Sequence, residues 1–259
     1  MSESDNAVPP DREADTAPKG ATSRRVAVNT ISNWVAIGVR IVVNMFLFSY
    51  VYRRLGGKEP FGVYRLGVAL SMTVTYLSFG MAGSVIRLAS ESIAAREWDR
   101  LSETMSVART FLLAAAVVGV LLIVVASLFF LGPLGVPADL RPAAATMLQL
   151  TAVGGGLHLM YVLYRGLLQA KQRYDLANAG MIGDIVLRAG FVVLCFELGW
   201  VSLEALGASV AAASLCGLVA LVVMTRRTLP EARMTFGNVS RSAAREVFGF
   251  GAWITVNQA

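Results

Sequence analysis

The sequence predicts an all-α protein, a polytopic membrane helical bundle of six transmembrane helices and the start of a seventh. Three observations carry that prediction. Of the residues, 56% are hydrophobic and 15% charged, with a mean hydropathy of +0.61, whereas soluble domains run at roughly 45–50% apolar and about 25% charged. The apolar residues gather into runs of about twenty, the length at which a helix crosses a hydrocarbon layer about 30 Å thick. Lys and Arg crowd alternate connections between those runs, the bias that orients membrane helices.

Residues 1–28 open the chain with Asp, Glu, Pro, Ser and Ala and no apolar run near Met1. They are expected to form a disordered cytoplasmic tail without a cleavable secretory signal. Residues 29–224 hold the six-helix transmembrane unit. The first span covers Thr30 to Tyr52 and the second Phe61 to Ile86. Next, Ala94, Trp98, Leu101 and Met105 repeat on one helical face, with Arg96, Glu97, Asp99, Arg100 and Glu103 opposite. That pattern predicts an interfacial helix on the cytoplasmic surface. The third span, Thr110 to Leu131, is interrupted after Phe111 by Gly119 and Ser127 alone, so it expects lipid or protein all round. Pro133, Gly135, Pro137 and Pro142 then forbid a continuous helix. The remaining spans are Ala143 to Tyr164, Asn178 to Leu198 and Leu203 to Met224. Residues 225–249 are expected to be a cytoplasmic loop with an amphipathic helix, Val239, Ala243, Val247 and Phe250 facing away from Arg241 and Arg245. Residues 250–259, with Ala252, Trp253 and Ile254, begin a seventh span. Ten residues are too few to cross a bilayer as a helix, so a fragment or truncated product is expected.

The formal net charge of +6 comes from dispersed residues, not a groove-sized basic patch with interleaved aromatics, which argues against nucleic acid. It is instead a topology signal. With the N-terminus inside, 16 of the 23 Lys and Arg fall in the inner segments and 4 in the outer ones, leaving Arg40, Arg65 and Arg188 within spans. The N-terminus is thereby placed in the cytoplasm. Cys195 and Cys216 lie at different depths in neighbouring spans, too far apart to bridge easily. With no Cys/His cluster, no metal site and no cofactor are expected. Loop carboxylates Glu91, Glu97, Asp99, Glu103 and Asp175 are scattered without metal spacing or a paired nucleophile and base, so an embedded enzyme is disfavoured.

Ionisable groups at mid-bilayer each cost about 2.5–3.5 kcal/mol when they face lipid unpaired, so they must face protein or water. In the first span Asn29, Asn33, Arg40 and Asn44 share a helical stripe, with no acidic residue in that span to neutralise Arg40. In the fourth, Thr151, Gly155, His158, Tyr161 and Arg165 form another. His158 suits either an interhelical hydrogen bond or a proton relay. Asp184 and Arg188, at i and i+4, can form a structural ion pair or serve transport. Arg65 suits a snorkelling anchor at the outer interface or a cavity role. Ser71, Thr75 and Ser78 line one side of the second span, and Gly154, Gly155 and Gly156 permit close helix approach or a bend. The sum, three Arg against Asp184, gives a net positive interior suited to an anion. A guanidinium fork matches phosphate oxygens, so a lipid-linked diphosphate fits, as do carboxylates and anionic lipids.

Three motifs connect the chain to a family. Arg54-Leu55-Gly56-Gly57 followed by Phe61-Gly62-Val63-Tyr64, then Phe79 to Arg87, then Arg165 to Tyr174 resemble, in order and spacing, the oligosaccharide flippases of the polysaccharide-biosynthesis branch of the MOP superfamily, relatives of the MATE exporters. The resemblance runs from Asn29 to Ala259. It implies one lobe of a MATE-like two-lobed transporter working by alternating access in the bacterial inner (plasma) membrane. Its cargo would be an undecaprenyl-diphosphate-linked sugar, with membrane lipids around it and a polysaccharide polymerase and other assembly proteins as partners. It also implies cationic cavity residues, for which Arg40 and Arg188 are the candidates, with Asn33, Asn44, Asp184, His158 and Arg65 around them. One departure stands out: Ser78 occupies a position where many relatives carry an acid. The alternatives are a MATE-type multidrug or cation antiporter, for which a positive interior is a poor match, and a scaffold subunit without transport.

Overall fold

The structure, a computed structural model, describes residues 19–76 and 81–232, and the described residues form seven α-helices without strands. They are α1 (Lys19–Arg54), α2 (Lys58–Tyr76), α3 (Met81–Ala95), α4 (Trp98–Phe129), α5 (Arg141–Ala170), α6 (Tyr174–Glu197) and α7 (Leu203–Thr228). Five of these, α1 and α4 to α7, are long and apolar enough to cross a membrane. The run expected as a single second span is described as two helices, α2 and α3, with 77–80 outside the described residues. The expected loop helix at 239–250 and the seventh span also lie outside them. α1 is described from Lys19 onward, so helical backbone reaches into the expected tail.

The expected interfacial helix is not there. α3 ends at Ala95 and α4 starts at Trp98, two residues later. Arg96 takes φ +58°, the Arg96 amide donates to Ile93 O and the Glu97 amide to Ser92 O, closing a Schellman turn. Leu101 and Met105 are fully buried and Trp98 packs beside them, so the stripe read as membrane-facing is the first two turns of α4, turned into the bundle. An apolar face looks the same in sequence whether it meets lipid or neighbouring helices. Arg100 pairs with Glu97 at 3.2 Å on the outside of that turn.

The same Schellman pattern ends α5 at Gln172 (φ +60°) and α6 at Gly199 (φ +87°). A left-handed residue suits glycine and strains anything with a Cβ. Gln172→Gly is therefore expected to stabilise by about 0.5–1 kcal/mol and Gly199→Ala to destabilise by about 1 kcal/mol, read as opposite shifts in Tm of the solubilised protein. Between α4 and α5 the proline-rich turn folds inward: Leu131 and Val136 are buried, and Arg141 Nε donates to Val136 O at 3.1 Å.

α5 is the central post, touching α2, α3, α4, α6 and α7. Within a bilayer, helices gain little from excluding water, so close backbone approach and dispersion do more of the holding. Glycine supplies the approach. A Cβ on Gly207 of α7 would lie 2.8 Å from Met147 O of α5, and one on Gly154 would lie 3.3 Å from the Ala211 amide. Gly156 faces α4 and Gly166 faces α3 in the same way. Gly154 and Gly156 thus serve packing, the commoner of the two roles open to them in the sequence.

α1 stands at the edge against α6, tied near both ends. Asn178 donates to Ser32 Oγ at 2.9 Å, while Tyr50 and Arg54 both donate to Glu197 Oε1, at 2.7 and 2.9 Å. Tyr50 also stacks on Phe196, 5.9 Å between ring centroids. Toward α2, α1 offers Phe48 to Tyr64 and Tyr52 to Phe61. The Glu197 cluster is largely exposed, so Glu197→Ala is expected to cost less than about 1 kcal/mol in thermal unfolding.

Candidate functional site

Five helices, α1, α2, α5, α6 and α7, line an open-sided cavity of about 430 Å³. Its wall follows from helical periodicity. On α1, Arg40 and Asn44 are one turn apart and reach it together, with Leu47 and Phe48 beyond them. On α5, Thr151, Gly155, His158, Tyr161 and Arg165 all line it, the whole stripe that the sequence displays. Asp184 and Arg188 face it from α6, Ser214 from α7 and Tyr64 from α2.

Arg188 Nη2 donates to Asp184 Oδ2 at 3.3 Å, so the i, i+4 pair forms. Asp184 is 6% exposed, and its other oxygen faces Gly217 of α7, where a Cβ would stand 3.2 Å away. The His158 ring stacks on Tyr161 with centroids 5.1 Å apart and planes 12° from parallel. Arg40 and Arg165 make no ion pair among the described residues. The wall therefore carries three guanidinium groups against one carboxylate.

Of the residues the sequence nominates, Arg40, Asn44, His158, Asp184 and Arg188 come together here. Asn33 and Arg65 are not part of the lining. Asn33 is exposed on α1, two turns before Arg40 on the same face. Arg65 is exposed, with its guanidinium carbon 4.8 Å from the Phe48 ring centroid, a cation–π contact on the outside of the cavity wall. Its neighbour Tyr64 is buried and lines the cavity, because successive helical residues point about 100° apart. The third arginine of the interior is thus Arg165, not Arg65. Arg165, Tyr161 and Thr151 are visible in the sequence as the α5 stripe. Tyr64 shares the helical side of Ser71, Thr75 and Ser78, a signal present in the sequence, whereas Ser214 is a single polar group on an otherwise apolar face.

Polar atoms left without partners concentrate at this wall. His158 Nδ1, Tyr161 Oη, Arg165 Nε, Asp184 Oδ1, Arg188 Nε and Ser214 Oγ are all buried and have no hydrogen-bond partner among the described residues. Each such atom costs about 1–3 kcal/mol while it is unsatisfied. Among the described residues, no group of His, Cys, Asp and Glu is arranged to hold a metal.

The sequence model of the MatE family matches residues 35–194, which is more than half of the chain. No curated protein matches it in sequence. Solved structures do match in fold. One is an outward-facing multidrug resistance MATE family transporter of the MOP superfamily, 15% identical, with a TM-score of 0.72 over 90% of this chain and 52% of that one. A second is a MOP superfamily transporter from Pyrococcus furiosus whose reversed binding-pocket polarity suggests a different function, again 15% identical with a TM-score of 0.72 and the same coverage. A third is a MATE protein in its straight conformation, 16% identical, with a TM-score of 0.72 over 90% of this chain and 52% of that one. The chain spans about half the length of these structures, the extent of one MATE lobe. With five apolar helices of spanning length and a MATE lobe fold, it is a multi-pass membrane protein. It belongs to the MatE family, whose members are transporters and not enzymes.

Proposed function

We propose that this chain is one lobe of a transporter that flips a lipid-linked oligosaccharide diphosphate across the bacterial inner membrane, its N-terminus in the cytoplasm. The observation that carries the proposal is the convergence of Arg40, Arg165 and Arg188 on one cavity that holds a single carboxylate, Asp184. A diphosphate brings negative charge and several acceptor oxygens, which planar guanidinium forks engage in pairs. Field lines focused in a cavity with low-dielectric walls raise the local concentration of an anion. The lipid tail stays in the bilayer while the headgroup occupies the polar interior, and rocking of this lobe against a second one exposes the headgroup on the other side. The excess of Lys and Arg in alternate connections supports the orientation.

A multidrug antiporter fits the family and the fold equally well. Asp184 is the observation on its side, because a cationic drug or a coupling cation needs a carboxylate. Pocket charge separates the two readings: an anionic headgroup needs the arginines and a cationic drug needs the carboxylate. In the full-length protein, Arg40→Ala and Arg165→Ala are each expected to lower flipping of a lipid-linked oligosaccharide in proteoliposomes by about tenfold or more, the loss from removing one charge-assisted contact. Extrusion of ethidium by the same vesicles is the counter-assay. Unchanged flipping together with robust ethidium transport would overturn the proposal in favour of the antiporter.

A further inference from the structure

A carboxylate on the wall of an anion cavity has the wrong sign for the guest, and what Asp184 touches accounts for its presence. Its side chain is 7% exposed. One carboxylate oxygen lies against α7, where a Cβ on Gly217 would stand 3.2 Å away, and the other accepts from Arg188 Nη2 at 3.3 Å. Its polar end is thus taken up by α7 and by its own helix. Arg188, in contrast, keeps 36% of its side chain exposed while lining the cavity. Two ties set the register of α1 against α6, Ser32 with Asn178 and Tyr50 with Glu197, so the two helices run in the same direction. Counted from the first tie at about 1.5 Å per residue, Asp184 stands about 9 Å along α6 and Arg188 about 15 Å. Arg40 stands about 12 Å along α1, between those two levels.

We infer that Asp184 is a positioning residue, which holds the Arg188 guanidinium back at the level of Arg40 so that cations from two neighbouring helices engage one anion together. The inference rests on the anion reading above and adds the geometry by which it works. A long side chain on a helix reaches back over the preceding turn, and the bond to Asp184 fixes Arg188 in that pose. Without it, a flexible arginine stem would carry its charge toward the nearer polar boundary, the Glu197 end of α6. Gly217 and Gly180, where a Cβ would lie 2.8 Å from Leu221 of α7, admit α7 close against α6. That packing fixes the carboxylate, and the carboxylate fixes the arginine.

The test is calorimetric titration of the full-length protein in detergent with inorganic pyrophosphate. The wild type is expected to bind it, and Asp184→Leu to bind it about tenfold more weakly, the size of one charge-assisted contact. Coulomb repulsion alone predicts the opposite sign, because the variant removes a negative charge from the wall. Asp184→Asn loses the same charge but keeps an acceptor for Arg188 Nη2, and is expected to bind within about threefold of the wild type. In an Arg188→Gln background, Asp184→Leu is expected to tighten binding, since no arginine is left to position and only repulsion is lost. Tighter binding by Asp184→Leu alone, equal weakening by leucine and asparagine, or undiminished weakening in the Arg188→Gln background would overturn the positioning role and leave the anion reading standing. No binding by the wild type would overturn both. Asp184→Ala carries the same comparison if the leucine variant is not recovered folded.

Discussion

Replacing Gly207 by alanine is expected to lower stability by about 1–3 kcal/mol and Gly207→Val by more, enough for the valine variant to be recovered poorly from the membrane. The cause is backbone against backbone. A Cβ at position 207 meets Met147 O at 2.8 Å and Met147 Cα at 2.9 Å, and neither atom can swing aside as a side chain would. The α5–α7 pair is the most extensive helix contact among the described residues, so separating it loosens the post around which the other helices stand. It also shifts α7, and with it Ser214, relative to the α5 wall of the cavity. Gly190 on α6 is the control: it is exposed and has nothing within 4 Å of its added Cβ. Gly190→Ala is expected to leave the Tm unchanged or slightly raised, alanine being the better helix former by about 1 kcal/mol. Equal behaviour of the two alanine variants in thermal unfolding would show that close approach at Gly207 does not limit stability.

Removing Arg188 is expected to be at least as costly as Gly207→Ala. Arg188→Met leaves the Asp184 carboxylate buried without its cation, a situation that costs about 3–5 kcal/mol in fully buried pairs. The Arg188 side chain is 36% exposed while that of Asp184 is 7% exposed, so solvent screens part of the loss and about 2–3 kcal/mol is expected. The same asymmetry makes Asp184→Leu the milder change, because the stranded arginine can reach water. Combining the two should recover stability toward wild type, since a matched apolar pair replaces a desolvated ionic one. A double-mutant cycle in denaturant checks this. Additive losses would mean that the two groups do not depend on each other, and that the 3.3 Å contact contributes nothing to folding.

The stability of the Asp184–Arg188 pair and its place in the cavity are different matters, and they were legible to different degrees. Spacing alone put the two on one face of a helix, because i and i+4 neighbours follow from 3.6 residues per turn. Spacing could not say which helices face that pair. Arg40, Asn44 and His158 were recognisable as in-membrane polar groups for the same reason, since hydrocarbon forbids them an idle position. Asn33 and Arg65 met the same criterion without reaching the cavity. A polar group near the end of an apolar span can instead be exposed, as Asn33 is, or rest on an aromatic ring, as Arg65 does on Phe48.

What the sequence determined by itself was therefore everything local and everything imposed by the solvent. Hydrophobic length set the helices, proline and glycine ended them, and the cost of buried charge marked the interior. Only the tertiary structure decided what each face meets. It turned the Trp98–Met105 stripe from the membrane surface into the bundle and exchanged Arg65 for Arg165 as the third cation of the cavity. The physical reason is common to both. An apolar or polar face specifies the kind of neighbour it requires, but lipid and protein are equally apolar partners, and water and a buried polar wall are equally polar ones. The choice between them is made by the packing of helices far apart in the chain, through close contacts such as Gly207 on Met147 that no local pattern records.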